Sequence, residues 1–405
     1  MKKLFLNFIY VGLSRLVDFG IPLIIFPYLV STVGKHNYGL YAYAYSLIVY
    51  MLNVVQYGFS LSAVREVSEN REDKLVLGKI FSRTVSAQLY LLIVCFIVLI
   101  VLVLSVPQFR EEYILYFSLF LLVIGDCMLC YWYYRGIEKM KFITLVNTIS
   151  KLTYFLLALA VIHDIGDYKY IGLCQAAGFV ISGCVSLLLI VKKEKIHFTI
   201  LPFSKVIPVF KSGASSFITL FIPTLYSNTS MFLLGALGTP VGVTYFDGAN
   251  KICRAFSSIN TILNQVIYPY AVKNKERSKF KSIGLFYNGT GLLLTLTMLF
   301  TVNLTTGILM PDTPEIILPA AILSLSPLLL SIRSTYGINY LMVHHYDSLY
   351  MKIALISSLG GFCIAFILIP YLNEVGAAIT VIASQTCYAL FSYLAYRKIS
   401  RTVIS

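Results

Sequence analysis

Eight ionisable side chains stand inside long apolar runs: Arg15, Asp18, Asp126, Lys151, Asp247, Lys251, Arg254 and Arg333. At the middle of a bilayer such a group costs at least about 2.5–3.5 kcal/mol on insertion scales, so it marks function by default. Asp247, Lys251, Arg254 and Ser258 recur at i, i+4, i+7 and i+11. At 100° per residue they fall within an arc of about 60° and form one polar stripe on a helix. Arg15 with Asp18 (i,i+3) and Asp247 with Lys251 (i,i+4) stand at pairing distance along a helix, so ion pairs that merely fix packing are the plain alternative. Five cations against three carboxylates nevertheless leave a surplus that internal pairing does not absorb. An anion held in a hydrated cavity would absorb it. Arg15, Lys151, Lys251, Arg254 and Arg333 are therefore the candidate anion binders. Asp18, Asp126 and Asp247 are candidates for charge pairing or for binding a coupling H⁺ or Na⁺.

The elements that must position these groups are membrane helices. Of 405 residues, 58% are hydrophobic and only 12% charged, with a mean hydropathy of +0.81. A soluble domain carries roughly a quarter charged residues, so this chain cannot clothe a water-facing surface. A span needs about 20 apolar residues. Hydropathy and helix breakers give twelve: 4–33, 38–62, 80–105, 113–134, 142–162, 170–191, 212–235, 241–270, 282–309, 315–342, 349–370 and 375–396. The start, Met1-Lys2-Lys3 before an apolar run, mimics a signal peptide, but no small-residue cleavage site follows. It reads as an uncleaved first helix.

Lysine and arginine give the orientation. With the N-terminus in the cytoplasm, the inner connections hold 24 of the 32 Lys and Arg and the outer ones only Lys35, Arg110 and Lys169. Both termini are therefore expected to be cytoplasmic. The net charge of +14 belongs to the membrane surface and not to a nucleic-acid partner. The outer loops are very short, the longest being Val106–Glu112 and His163–Lys169, so no folded domain is expected there. The basic connection 192–211, with Pro202 and Pro208, separates a six-helix lobe (1–191) from a second six-helix lobe with a short tail (212–405). The halves look related, because Gly12-Leu-Ser14…Ile21-Pro22 aligns without gaps to Gly213-Ala-Ser215…Ile222-Pro223. Six spans per half relate the lobes by a pseudo-two-fold axis along the membrane normal, an all-α transporter plan with a site near midplane between the halves. Pro22, Pro27 and Pro223 lie mid-span, where they remove backbone bonds and permit bending.

Other motifs read as structure. Cys127 and Cys130 form C-x-x-C inside a membrane helix without companion ligands, so buried thiols are expected. His344-His345 near Asp347 reads as a solvated turn and not a metal site. Tyr131-Trp132-Tyr133-Tyr134 ends the fourth span, where an interfacial aromatic belt is expected, with stacking on sugars the weaker alternative. Walker A, Rossmann and H-E-x-x-H patterns are absent, which argues against ATP hydrolysis, and no cofactor is implied.

Several stretches resemble the polysaccharide flippases of the Wzx type, within the multidrug/oligosaccharidyl-lipid/polysaccharide exporter superfamily. They are Gly39-Leu-Tyr-Ala-Tyr-Ala-Tyr45, Gln56-Tyr-Gly-Phe-Ser-Leu-Ser-Ala-Val-Arg65 and Trp132-Tyr-Tyr-Arg-Gly136-Ile-Glu138-Lys-Met140-Lys. With the six-plus-six layout, the resemblance covers essentially the whole chain. It implies a flippase of the bacterial cytoplasmic membrane that moves undecaprenyl-diphosphate-linked oligosaccharide repeat units to the outer leaflet by alternating access. The products would be O-antigen or another surface polysaccharide. It also implies a cationic cavity lined by the first, second, seventh and eighth helices, which here carry Arg15, Lys251 and Arg254. The diphosphate or an anionic glycan would meet those side chains. Lys151 and Arg333 lie outside that set. Membrane lipids, and the polymerase and chain-length regulator of the same pathway, are the implied partners. A multidrug antiporter of the superfamily is the alternative, though its cationic substrates favour acidic cavities. A polysaccharide polymerase would need a sizeable outer loop, and relatives that flip lipid II usually have fourteen spans.

Overall fold

The computed structural model describes residues 2–273 and 277–402, without the side chains of 2–11, 13, 15, 16, 219, 223–227, 265, 266, 269, 270, 272, 273, 277–279, 401 and 402. Among the described residues every regular element is helical. The main ones are α1 (Lys2–Val33), α2 (Lys35–Gln56), α3 (Lys74–Ser105), α4 (Tyr113–Leu129), α5 (Met140–Val161), α6 (Tyr168–Leu188), α7 (Phe203–Leu237), α8 (Pro240–Lys273) and α9 (Arg277–Phe300). The span α10 (Pro314–Met342) is assembled from shorter helices and ends in a π-helix, Ser334–Met342. In α11 (Asp347–Thr402) the chain folds back at Asn373, where φ is 44° and the helix is broken. Among the described residues, eight helices are long and apolar enough to cross a membrane. The chain is a multi-pass membrane protein. Its α3 shows why: Ile93, Val94, Ile97, Val101 and Leu104 point outward over successive turns, an arrangement stable only against lipid.

The helices fall into two compact units. The first comprises 1–21 and 31–224, the second 22–30 and 225–405. The division cuts α1 twice, between Ile21 and Pro22 and between Val30 and Ser31, and α7 once, between Thr224 and Leu225. The first cut falls at the Ile21-Pro22 step, and the cut in α7 lies two bonds beyond the Ile222-Pro223 step that the sequence repeat pairs with it.

In the first unit α6 lies closely along α4. Gly125 and Gly183 permit this, because a Cβ on Gly125 would meet the backbone of Phe179 and Val180, and one on Gly183 would meet Met128. Small residues are how membrane helices gain close van der Waals contact in the absence of a hydrophobic drive between them. At one end of this unit sits an aromatic core of Phe59, Phe81, Trp132, Tyr133, Tyr134 and Phe142 with Val67, Ile190, Ile196 and Val206. This corrects the expected interfacial belt, since Trp132, Tyr133 and Tyr134 are almost wholly buried. The cause is local. Cys130 takes a left-handed conformation (φ 49°), which ends α4 and redirects the chain into the short helix Tyr131–Gly136. Trp132 and Tyr133 then pack on Phe81, with ring centroids 5.4 and 5.6 Å away.

Two of the segments that carry the family resemblance, 56–65 and 132–141, meet in the same place. Helix Ser62–Glu69 packs on Tyr131–Gly136, and Gly136 lies so close to Val67 that a Cβ there would overlap it. Gly58 makes the preceding turn at φ +72° and abuts the backbone of Ser216 and Phe217, a position only glycine fills without strain. Arg83–Glu66 (2.8 Å), Arg71–Glu138 (2.7 Å) and Lys139–Glu194 (2.6 Å) stitch the edge of this end. The basic connection is part of it. Its Thr199 and Leu201 amides donate to Ser82 Oγ and Ser86 Oγ at 3.1 and 2.9 Å, and the Tyr90 hydroxyl donates to the Leu201 carbonyl at 3.0 Å.

Candidate functional site

The membrane-embedded charges separate into two groups, one in each unit. In the first unit α1 brings Ser14 and Asp18 to one face, four residues apart. Asn147 and Lys151 repeat that spacing on α5. The Asn147 amide donates to Ser14 Oγ at 2.9 Å, to the Ser14 carbonyl at 3.3 Å and to Asp18 Oδ1 at 3.0 Å. Gln56, the last residue of α2, donates from Nε2 to Asp126 Oδ2 on α4. Lys151 feels the charge of both Asp18 and Asp126, and its ammonium stands 5.2 Å from the centre of the Phe179 ring. Tyr131 also lies in the field of both carboxylates. Each carboxylate has a hydrogen-bonded amide and a shared cation, the arrangement that makes buried charge tolerable. The Arg15 side chain, and with it the alternative of an Arg15–Asp18 pair, lies outside the described residues.

In the second unit the stripe on α8 forms as its spacing predicts. Lys251 and Asp247 make an i,i+4 ion pair, with only 20% and 12% of their side chains exposed. The Lys251 ammonium also lies 5.0 Å from the centre of the Phe26 ring, a cation–π contact of about 0.5–2 kcal/mol. Gly248 lets Phe26 and Ile316 approach, since a Cβ there would lie 2.9 Å from Phe26 Cζ and 2.8 Å from Ile316 Cδ1. Arg254, one turn further on, is exposed, and its charge reaches Lys251. Ser258 turns its hydroxyl back to the Ala255 carbonyl at 2.7 Å.

Arg333 stands apart from that stripe. It stacks 5.1 Å from the centre of the Tyr388 ring and lines a cavity of about 570 Å³ inside the second unit. Ser257, Asn260, Thr261, Asn264 and Tyr268 of α8 share this wall with Tyr287 of α9 and Ser334 of α10. Charge alone does not mark these residues as functional, nor Ser14, Gln56 and Asn147. The usable signal was uncharged polar spacing, 257, 260, 261, 264 and 268 along α8 and the i,i+4 partners of Asp18 and Lys151.

The thiols and histidines hold no competing centre. Cys130 is buried and Cys127 half-buried. His344 donates or accepts at Nδ1 with the Tyr340 carbonyl (2.9 Å), and His345 makes a left-handed turn. Among the described residues no three metal-ligating side chains converge.

Among the described residues the fold is all-helical and multi-pass, with ionisable groups set inside its helices. The polysaccharide biosynthesis protein family matches over residues 4–275, and the chain belongs to that family. A curated protein of Escherichia coli (strain K12), named "Putative O-antigen transporter", is 27% identical over 389 residues, covering 94% of this chain and 93% of that protein. One of the same name from Shigella dysenteriae is 23% identical, covering 96% and 98%. Among solved structures, the lipid II flippase MurJ in an inward closed conformation matches with a TM-score of 0.73 at 15% identity, over 97% of this chain and 87% of that one. An inward-facing multidrug resistance transporter of the MATE family and MOP superfamily matches with 0.65 at 12% identity, over 93% and 97%. At these identities the structural likeness shows the fold.

Proposed function

We propose that this protein is a flippase that moves undecaprenyl-diphosphate-linked oligosaccharide repeat units from the inner to the outer leaflet of the bacterial cytoplasmic membrane. Transport is by alternating access, and it serves O-antigen or another surface polysaccharide. The observation that carries the reading is the α8 stripe, where Lys251 and Arg254 stand against a single carboxylate. Two cations on one helix face, one of them exposed, suit a diphosphate. They repel the cationic substrates of a multidrug antiporter. The names of the curated relatives, and the fold shared with a lipid II flippase, support transport of a lipid-linked glycan and not an enzymatic step.

On this reading the eight long apolar helices, one of them doubled at Asn373, are completed to twelve spans by α1, α7 and α8. They form two six-helix lobes, with both termini in the cytoplasm. With the cytoplasm negative, outward movement of an anion is favoured by about 2.3 kcal/mol per charge per 100 mV. A coupling H⁺ or Na⁺ would have to compete with the amides and cations already on Asp18, Asp126 and Asp247. The polymerase and chain-length regulator of the pathway are the proposed protein partners.

The sidedness of the lipid-linked repeat tests the proposal, in cells lacking this protein, the polymerase and redundant flippases. Repeat units should build up on the cytoplasmic face and be relieved by the wild type. Normal arrival at the outer leaflet without the protein would overturn the flippase reading.

A further inference from the structure

The cavity inside the second unit has a chemistry different from that of the α8 stripe. Its wall combines donors and acceptors: the Asn260 and Asn264 amides, the Ser257, Thr261, Tyr268, Tyr287 and Ser334 hydroxyls, and the Arg333 guanidinium. Several of these groups are fixed by their neighbours. The Asn260 amide donates to the Pro327 carbonyl at 2.8 Å, the Tyr287 hydroxyl to the Asn260 carbonyl at 2.6 Å, and the Asn339 amide to Asn264 Oδ1 at 3.3 Å. On this wall, among the described residues, nothing donates to the buried Oδ1 of Asn260. A buried polar atom left over in this way calls for an explanation. The wall is also geometrically unusual, because Ser334, Ile338 and Met342 belong to the nine-residue π-helix that follows Arg333. π-Helical turns are rare and concentrate at functional sites. About 570 Å³ lies within the usual range of about 300–1,000 Å³ for small-molecule sites.

Three ligand classes can be weighed against this wall. A free metal cation is repelled by Arg333. A phosphate, which only accepts, leaves the Asn260 amide oxygen unanswered. A sugar hydroxyl both donates and accepts, and so matches amide oxygens, hydroxyls and guanidinium together. We propose that this cavity is a saccharide subsite that takes a pyranose ring of the transported glycan, with Arg333 selecting a ring that bears a carboxylate. The inference rests on the flippase reading for the source of the sugar, but its test does not.

The full chain, purified in lipid nanodiscs, is probed by saturation-transfer NMR with the methyl glycosides of glucose, galactose, glucuronate and galacturonate. Transfer to the rings is expected, several-fold stronger for at least one uronate than for its neutral counterpart. Arg333→Gln should bring that uronate down to the neutral level. Thr261→Val, nearly isosteric at an exposed position, should weaken transfer to every ring that binds while leaving the melting temperature unchanged. No transfer to any of the four in the wild type, or transfer undiminished in both variants, overturns the subsite. A protein that restores sidedness in cells yet binds none of the four loses the subsite and keeps the flippase. One that binds but leaves sidedness unchanged keeps the subsite and loses the flippase.

Discussion

The two units treat the same expensive commodity, charge inside a membrane, in opposite ways. In the first, Lys151 is shared by Asp18 and Asp126, and Asn147 and Gln56 add an amide to each carboxylate. Counting Arg15 by its place in the sequence, that unit has two cations against two carboxylates. In the second, Asp247 is the one carboxylate against Lys251, Arg254 and Arg333, so the whole surplus of positive charge seen in the sequence lies there. A balanced cluster can hold helices together without a ligand, whereas a surplus calls for one. On that basis we propose structure as the role of the first cluster and anion handling as the role of the second.

The test with the largest expected effect removes that surplus. Losing one charge that meets a buried ligand group costs about 2–5 kcal/mol, so losing two, in Lys251→Ala with Arg254→Ala, should lower translocation by roughly a thousandfold or more at equal membrane abundance. Full activity in the double variant would take the diphosphate away from α8. Next comes Lys151→Ala, which takes from Asp18 and Asp126 the cation they share. Breaking a buried ionic cluster by removing one partner costs about 3–5 kcal/mol. The expected result is a large loss of melting temperature and abundance, recovered when Asp126→Asn is added to Lys151→Met. A stable Lys151→Ala protein that fails only in transport would break the comparison, because Lys151 would then meet the substrate. A smaller effect of about 1.5–3 kcal/mol, the net worth of a hydrogen bond to a charged group, is expected for Asn147→Leu or Gln56→Leu. It is read as stability to heat, with translocation per folded molecule unchanged.

How much of this was legible in the sequence differed by level. The apolar runs and the α8 spacing were plain, because period and hydropathy are local properties. Asp247–Lys251 formed as i,i+4 predicts. Partners contributed by other helices were not legible. Nothing local places Asn147 beside Asp18, 129 residues earlier, or Gln56 beside Asp126. The aromatic run 131–134 misled for a related reason. Its composition suits an interface, but the left-handed Cys130 turns it into the core, and a single backbone angle leaves no trace in hydropathy. The motifs behind the family resemblance proved to be packing devices, with Gly58 and Gly136 at close approaches. One of them also reaches an embedded charge, since Gln56 donates to Asp126. Arg333 was found by its charge, yet its cavity was hidden because amides and hydroxyls carry no such flag.

The smallest expected effect discriminates most finely between surplus charge and ion pair as the working element of the second unit. Asp247→Asn keeps the shape of the side chain and a hydrogen-bonding oxygen for Lys251, but removes the carboxylate that Lys251 now faces. If the stripe works as an anion binder, releasing Lys251 from that partner raises its availability to a diphosphate. The partner is one turn away but buried, and the asparagine oxygen still accepts from Lys251, so the stability cost should stay below the about 3–5 kcal/mol of a buried ion pair stripped of one member. Translocation should then persist, with the half-saturating substrate level lowered a few-fold. A loss as deep as that of Lys251→Ala with Arg254→Ala would mean that the carboxylate takes part in the cycle. The second unit would then resemble the first, a balanced pair whose charge must be exchanged for movement to occur, and Asp247 would become the leading site for a coupling ion.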